Sequence, residues 1–494
     1  MIASKSFQLA PSYLGILFYF IAFAAPMTET HGEDSRTNIL FMISDDMSWR
    51  DWGVYGGSFA KTPHIDKLAE KGVRFSNVYC GSPICHPARS VLLTGQEIWR
   101  LKEAAVFGGT LQNSYAIYPS LLEKSGYQVG RQGKGWAPGY WKLGGWESPP
   151  AGKKVPLDKF LAEHSGKTPF CYWLGSSLGH RPFHYEVDGR DLGAIEIPPF
   201  LPDTPEVRKD LAGYYQEIEQ FDKQVGKVVK LLEQNGVLDN TLLIVTSDHG
   251  MPWPRGKASL YDLGTRVPFI AHWPDKIRPG RVVEDFVSFT DLAPTLLEVA
   301  DLETASEMTG KSFLKLLTAE ESGTIDPGRD KVFFGLEAHP GGKHFSRWLG
   351  PMSCRGVRTS NYLYIQNYPK PEGGGWNPVQ AGPIPDLLMQ ETATKTNYQL
   401  CFGPRPPEEL YDVRKDVWQT HNLAEEEGLA KVKEKLKKDL EAYLRKTGDP
   451  RILGSGNIFS SYPIWYLDGK MARRGKDGKV SLFPKSDYQK PDSK

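Results

Sequence analysis

Residues 38–46 read NILFMISDD, and residues 241–250 read TLLIVTSDHG. Each is an apolar run of strand length that stops at Ser-Asp. A strand with one wet face alternates apolar and polar side chains. An unbroken apolar run asks for burial on both faces, as in a parallel sheet covered by helices on either side. Further strand-like runs at 127–131, 170–174 (FCYWL) and 267–273 alternate with helical patterns. Thr62-Pro63 opens a helix, as cap and first-turn proline, and Gly72 closes it. Shorter helices are expected at 119–124 and 292–300. Thr204-Pro205 starts a long amphipathic helix that Asn235-Gly236 stops. Its buried stripe is read as Leu211, Tyr214, Tyr215, Ile218, Phe221, Val225, Val228 and Leu231. This alternation predicts an α/β fold with a mostly parallel sheet between helices. Functional groups in such sheets collect beyond the carboxyl ends of the strands, where Asp45, Asp46, Asp248 and His249 stand.

Composition narrows the classes. The chain has 494 residues, 40% hydrophobic and 24% charged, which excludes a mainly disordered chain or a disulfide miniprotein. Lys+Arg number 60 and Asp+Glu 59, so no basic field is available for non-specific nucleic-acid binding. Lys5, the apolar residues 14–23 and Ala24-Ala25 read as a signal peptide over 1–25, too short for a stable membrane span. A secreted or periplasmic protein is expected. No Asn begins an Asn-X-Ser/Thr acceptor. That favours a bacterial exterior over a lysosome. The cysteines are Cys80, Cys85, Cys171, Cys354 and Cys401. With one set aside, the other four allow three disulfide pairings; the alternative is five buried thiols. Beyond residue 335 the composition shifts. Residues 339–380 are rich in Gly, Pro and aromatics, 362–366 reads as an antiparallel strand, and 423–447 holds a charged helix. Lys470, Arg473, Arg474 and Lys476 mark a basic, solvated tail.

The segment 81–95 reads GSPICHPARSVLLTG. Pro87 suits the first turn of a helix starting near Cys85, and that helix N-terminus would bias Cys85 toward handling an anion. This segment resembles the sulfatase active-site signature. The resemblance continues in order through Asp45-Asp46, Thr62-Pro63-His64-Ile65-Asp66, Ser247-Asp248-His249-Gly250, Gly256-Lys257, Arg266-Val267-Pro268, Asp291-Leu292-Ala293-Pro294 and Glu409-Leu410-Tyr411-Asp412. It looks nearest to the heparan N-sulfatase branch and its bacterial relatives, through Pro205 to Arg208 and Met251-Pro252-Trp253-Pro254.

The resemblance implies an alkaline-phosphatase-like α/β catalytic domain over 36–335, followed by a smaller C-terminal α+β subdomain over 336–494. It implies that a formylglycine-generating maturation enzyme oxidises Cys85 to formylglycine. One hydroxyl of the aldehyde hydrate would take the sulfo group, and deprotonation of the other would expel sulfate. Asp45, Asp46, Asp248 and His249, with residue 85, match the family's cation ligands. Calcium suits the oxygen donors, while the imidazole of His249 keeps magnesium and manganese open. Arg89, Lys134 and Lys257 match its cationic positions around the sulfate, and His180 its candidate acid for the leaving group. The implied substrate is a sulfated saccharide carrying an O- or N-sulfate. The aromatic loops 136–146 and 339–376 are expected to build its cleft.

Two departures stand out. Where the family reads Lys-X-His, this chain reads Lys134-Gly135-Trp136. His86 occupies a position that is normally small. Either His86, or another imidazole such as His339, takes over the base duty, or hydroxide or a carboxylate suffices; the simpler second view is preferred. Rival readings are a phosphonate monoester hydrolase or phosphodiesterase of the same superfamily, and an inactive sulfate-glycan binding protein.

Overall fold

The computed structural model describes Met1 and residues 36–139, 141–164, 168–185, 189–337, 353–368, 382–390, 395–465, 470–474 and 480–484. The expected signal peptide, His339, Lys476 and most of the 339–376 loop lie outside the described residues.

Nine strands form the main sheet: β1 (Asn38–Ser44), β2 (Val73–Tyr79), β3 (Gln128–Gly133), β4 (Lys153–Lys154), β5 (Phe170–Gly175), β6 (Thr241–Ser247), β7 (Arg266–Val267), β8 (Phe269–His272) and β9 (Arg281–Ser288). Their order is β4-β3-β5-β1-β6-β8-β2-β7, with β9 also on β2. The pairs β1–β5, β1–β6, β3–β5, β3–β4 and β2–β9 are parallel. The mostly parallel sheet read from the apolar runs is therefore present. β8 is antiparallel to both β6 and β2, and the expected strand at 267–273 is split by Pro268, which has no N–H for the ladder.

The apolar runs behave as their composition requires. All seven residues of β1 and of β6 are buried. Ile39, Phe41 and Ile43 join one core, while Leu40 and Met42 join the core on the opposite face. Helices α2 (Cys85–Thr94) and α3 (Tyr118–Lys124) cover the first face; α1 (Pro63–Lys71), α4 (Leu157–Glu163) and α5 (Pro205–Gln234) cover the second.

The long helix α5 follows its sequence signals. Thr204 caps it by accepting from the Val207 N–H at 3.3 Å. Its stripe is buried except at the last position, where Leu232 rather than Leu231 turns inward. Helix α1 departs from the expectation. Thr62 does not cap it; the Asp222 carboxylate of α5 accepts from the His64 and Ile65 N–H groups at 2.9 and 2.8 Å. Thr62 instead accepts from the Gly53 N–H and donates to Asp66.

A second, antiparallel sheet runs β10 (Lys331–Leu336), β11 (Ser353–Thr359), β12 (Tyr362–Tyr368) and β13 (Glu408–Asp412) in sequence order. Helix Ala430–Lys446 packs on β11 and β12 and starts later than the sequence pattern suggested. Within the basic tail, residues 470–474 pair with 480–484 and 464–465 in a small antiparallel sheet. All five cysteines are free and buried, so no disulfide forms. Among the described residues no helix is long and apolar enough to cross a membrane.

Candidate active site at the start of helix α2

The carboxylates arrive through strand register. Ser44 of β1 pairs with Ser247 of β6, so Asp45 and Asp248 leave adjacent strand ends together. The two serines stitch this end of the sheet. Ser44 Oγ donates to the Thr246 carbonyl, and Ser247 Oγ accepts from the Met47 N–H. Asp46 takes a left-handed conformation, φ 58°, and its N–H donates to Asp248 Oδ1 at 3.2 Å. That turn sets three buried carboxylates in one place.

Helix α2 begins at Cys85, as the position of Pro87 implied, and all ten of its residues are buried. No side chain caps its first turn. Cys85 Sγ lies 3.3 Å from Lys257 Nζ, 3.4 Å from His249 Nε2 and 3.5 Å from Asp45 Oδ1. Burial and then Asp45 push its thiol up to about 12, against the pull of Lys134 and Lys257. As a plain cysteine it is protonated at neutral pH and a poor nucleophile.

Three cations converge. Arg89, one turn along α2, donates from Nε to Asp248 Oδ2 at 3.0 Å and from Nη1 to the Lys134 and Gly135 carbonyls at 3.0 Å. Its Nη2 is buried without a partner. Lys134 pairs with Asp45. Lys257 donates to both oxygens of Asp46, at 2.7 and 2.9 Å. Burial opposes the charge on each lysine. Several anionic neighbours together, led by Asp45 at Lys134 and by Asp46 at Lys257, overcome it, so both are held above the ordinary lysine value. Burial would likewise raise Asp248, but His249, Arg89 and Lys134 together hold it well below the usual carboxylate range.

Close backbone packing places these groups. Gly133 has φ 68°, and a Cβ there would lie 2.0 Å from the Gly175 carbonyl oxygen; the Lys134 N–H donates to that oxygen at 2.8 Å. Gly179, φ 96°, lets the segment before His180 pass against the Asp45 carbonyl. His180 Nδ1 donates to the Arg181 carbonyl at 2.5 Å. Burial lowers its imidazole below the ordinary value, with Asp46 the largest opposing charge.

The donor set fits a divalent cation. Asp45, Cys85, Asp248 and His249 offer ligand atoms that all lie within 4.8 Å of one another. His249 Nδ1 faces the Gly250 carbonyl at 3.0 Å and must donate to it, because a carbonyl only accepts. Nε2 faces Asp46 Oδ1 at 3.2 Å and Asp248 Oδ1 at 3.6 Å, so a positive centre has to lie between these atoms: a proton on the ring or, in its place, a metal cation.

Of the described residues singled out from the sequence for the site, all but His86 converge here. The His86 ring packs 5.7 Å from Phe107 and 5.5 Å from Trp136, and Cys85 Sγ finds its hydrogen-bonding neighbours elsewhere. Trp136 is also committed to packing, its Nε1 donating to Ser90 Oγ at 2.7 Å. Sequence reasoning missed two supports. Trp173, read only as strand core, donates from Nε1 to the Lys134 carbonyl at 3.0 Å. Asp210 of α5 binds Arg181 and accepts from Trp253 Nε1 at 2.9 Å, tying the His180 segment to the 251–254 turn. A buried acid in an apolar helix stripe was the available signal for Asp210.

Comparison with known proteins agrees with this geometry. The sulfatase family profile matches residues 37–140 and 155–302, and the profile of the N-sulphoglucosamine sulphohydrolase C-terminal region matches residues 253–383. An ulvan-active sulfatase of Formosa agariphila is 30% identical over 432 residues, covering 84% of this chain and 81% of the relative. Human N-sulphoglucosamine sulphohydrolase is 28% identical, covering 85% and 92%. A protein solved in complex with its substrate D-glucosamine-2-N,6-O-disulfate shares the fold, with TM-score 0.59 and 18% identity over 84% of this chain and 98% of that one. Strand-end carboxylates, a buried Cys-X-Pro-X-Arg helix and the extent of these matches lead to one conclusion: the chain belongs to the sulfatase family.

Proposed function

We propose that this enzyme releases sulfate from a sulfated saccharide, at a formylglycine made from Cys85. The observation that carries the reading is the buried Cys85 Sγ, within 3.5 Å of Lys257, His249 and Asp45 at an uncapped helix N-terminus. The sulfur stands where an oxygen of the formylglycine hydrate would stand. That hydrate supplies one hydroxyl to attack sulfur and a second whose deprotonation lets sulfate leave. The net change is R–O–SO3⁻ + H2O → R–OH + HSO4⁻, or the corresponding N–S cleavage. Asp45, Asp46, Asp248 and His249, with residue 85, would hold a cation, calcium by its preference for oxygen donors, which would polarise a sulfate oxygen.

The chain's own residues do the rest. Arg89 has a buried N–H to spare for a sulfate oxygen. Lys134 and Lys257 stay charged and bracket the residue-85 side chain, where negative charge grows in the transition state. With Nδ1–H donating to the Arg181 carbonyl, His180 would give the leaving oxygen or nitrogen a proton from Nε2 in its imidazolium form, which the negative charge of a bound sulfate favours. No imidazole stands at Trp136, so hydroxide or Asp45 serves as the base.

The relatives' names support a saccharide, and both ulvan-active and N-sulphoglucosamine enzymes are among them. The reading also implies export to the periplasm or beyond and a formylglycine-generating partner.

Mass spectrometry of the peptide containing residue 85, from the native host, tests the modification: a mass 18 Da below cysteine is expected for the aldehyde. An intact thiol in fully active enzyme overturns the mechanism. Sulfate release from a panel of O- and N-sulfated sugars tests the substrate class. Faster turnover of an aryl phosphodiester than of any sulfate would instead favour the phosphonate hydrolase reading. Glycan binding without any release would favour the inactive binder.

A further inference from the structure

A cavity of about 240 Å³ lies on the face of the sheet covered by α5, and none of the groups around Cys85 lines it. Two flat pairs form its walls. The Arg50 guanidinium sits 3.8 Å from the ring centroid of Trp418, and that of Arg266 sits 3.8 Å from Trp49. All four residues are half-buried. Arg50 is balanced by Glu196 at 3.0 Å and Arg358 by Asp262 at 2.9 Å. Arg266 differs: it donates to the Ser76 carbonyl at 2.8 and 2.6 Å, and among the described residues it forms no ion pair. Arg266 is thus the lining guanidinium that no carboxylate holds, and it lies against the half-exposed Trp49 indole. Asp51 adds a buried carboxyl that accepts from the Tyr214 hydroxyl at 3.0 Å through one oxygen. The Trp49 Nε1 is a buried donor with no acceptor.

Flat aromatic faces suit the C–H face of a pyranose, an unmatched guanidinium suits a sulfate, and a carboxyl oxygen suits a sugar hydroxyl. The volume is that of one ring rather than of a chain. We propose that this cavity binds one sulfated sugar unit without cleaving it, as a second glycan site separate from Cys85. The choice of ligand rests on the sulfated-saccharide reading above; the chemistry of the cavity does not.

The test uses full-length protein carrying Cys85→Ala and the same protein with Trp418→Ala added. Heparin-derived and ulvan-derived sulfated tetrasaccharides are titrated into each by calorimetry. Two sites per chain are expected in the first protein and one in the second. In active enzyme, Trp418→Ala should raise KM for the polymer about fivefold while kcat/KM on a sulfated monosaccharide changes less than about twofold. Arg50→Gln, which keeps the indole, should weaken the second site less and is the fallback should Trp418→Ala fold poorly. A single site in both proteins, or equal losses on polymer and monosaccharide, overturns the proposal. Wild-type enzyme that frees no sulfate from any saccharide defeats the functional reading alone, because the calorimetry still decides the cavity.

Discussion

Among the described residues, the buried ionic cluster around Arg355 and the one around Cys85 are wired differently. In the C-terminal sheet, Arg355 donates to both oxygens of Asp449 at 2.7 and 3.0 Å, to Glu337 at 2.5 Å and to the Leu336 and Cys354 carbonyls. Arg451 then closes on Glu337 and Ser353. Every N–H of Arg355 has an acceptor. At the Cys85 cluster the charges also balance, three carboxylates against three cations, yet Arg89 Nη2 has no partner and a side chain that could react lies between the lysines. A fully satisfied network fixes structure; one with a spare donor beside a reactive group is set up for a ligand. Opposite charges under cover are common to both, so burial of charge alone does not identify a site.

Mutation should separate the two clusters, and the largest effect comes first. Cys85→Ala is expected to cut sulfate release by ~10⁴-fold or more while the melting temperature moves little, because no packed ion pair is lost. A variant with residual activity near wild type breaks the comparison at once. Prolonged dialysis against EDTA should remove most activity, with calcium restoring it better than magnesium; full activity in metal-free protein, verified by elemental analysis, contradicts the ligand set. Arg89→Ala, Lys134→Ala and Lys257→Ala should each lower kcat by ~10²–10³. Arg355→Ala should do the opposite: kcat per folded molecule is retained while stability falls by about 3–5 kcal/mol in denaturant titration, since Asp449 loses its arginine in a buried place and Glu337 keeps only Arg451 of its two arginines. His180→Ala should cost ~10² on a saccharide but under ~10 on an aryl sulfate, whose leaving group needs little proton help. Equal losses on both would remove His180 from that role. The smallest change is expected at His86→Ala, with kcat within about threefold and the loss confined to packing. Accumulation of sulfated enzyme in that variant would revive His86 as a base.

The α/β class, strands β1, β5 and β6 and helix α5 were legible because their signals are local: apolar runs, a Thr-Pro start and an Asn-Gly stop. The ligand residues were legible because they end those strands. What sequence could not show came from partners distant in the chain. Asp222 replaces Thr62 as the cap of α1 from more than 150 positions away, and the half-buried strand β2 carries no unbroken apolar run. Antiparallel β8 reads like a parallel strand because both faces are covered. His86 could be placed next to Cys85 in sequence, but on a helix adjacent residues point about 100° apart, and packing against Phe107 and Trp136 decided its direction.

Cys85 is 2% exposed, and β1 is flanked on one side by β6, which is synthesised some 200 residues later. Until residue 247 has been made, β1 lacks its neighbour on that side, and His249 and Lys257, which stand against the thiol in the finished fold, do not yet exist. At ~5–20 residues per second that interval lasts on the order of ten to thirty seconds. Any protein that alters this side chain must therefore win a race against the sheet's closure. A mutation that only accelerates folding could then silence the enzyme while leaving its finished architecture untouched.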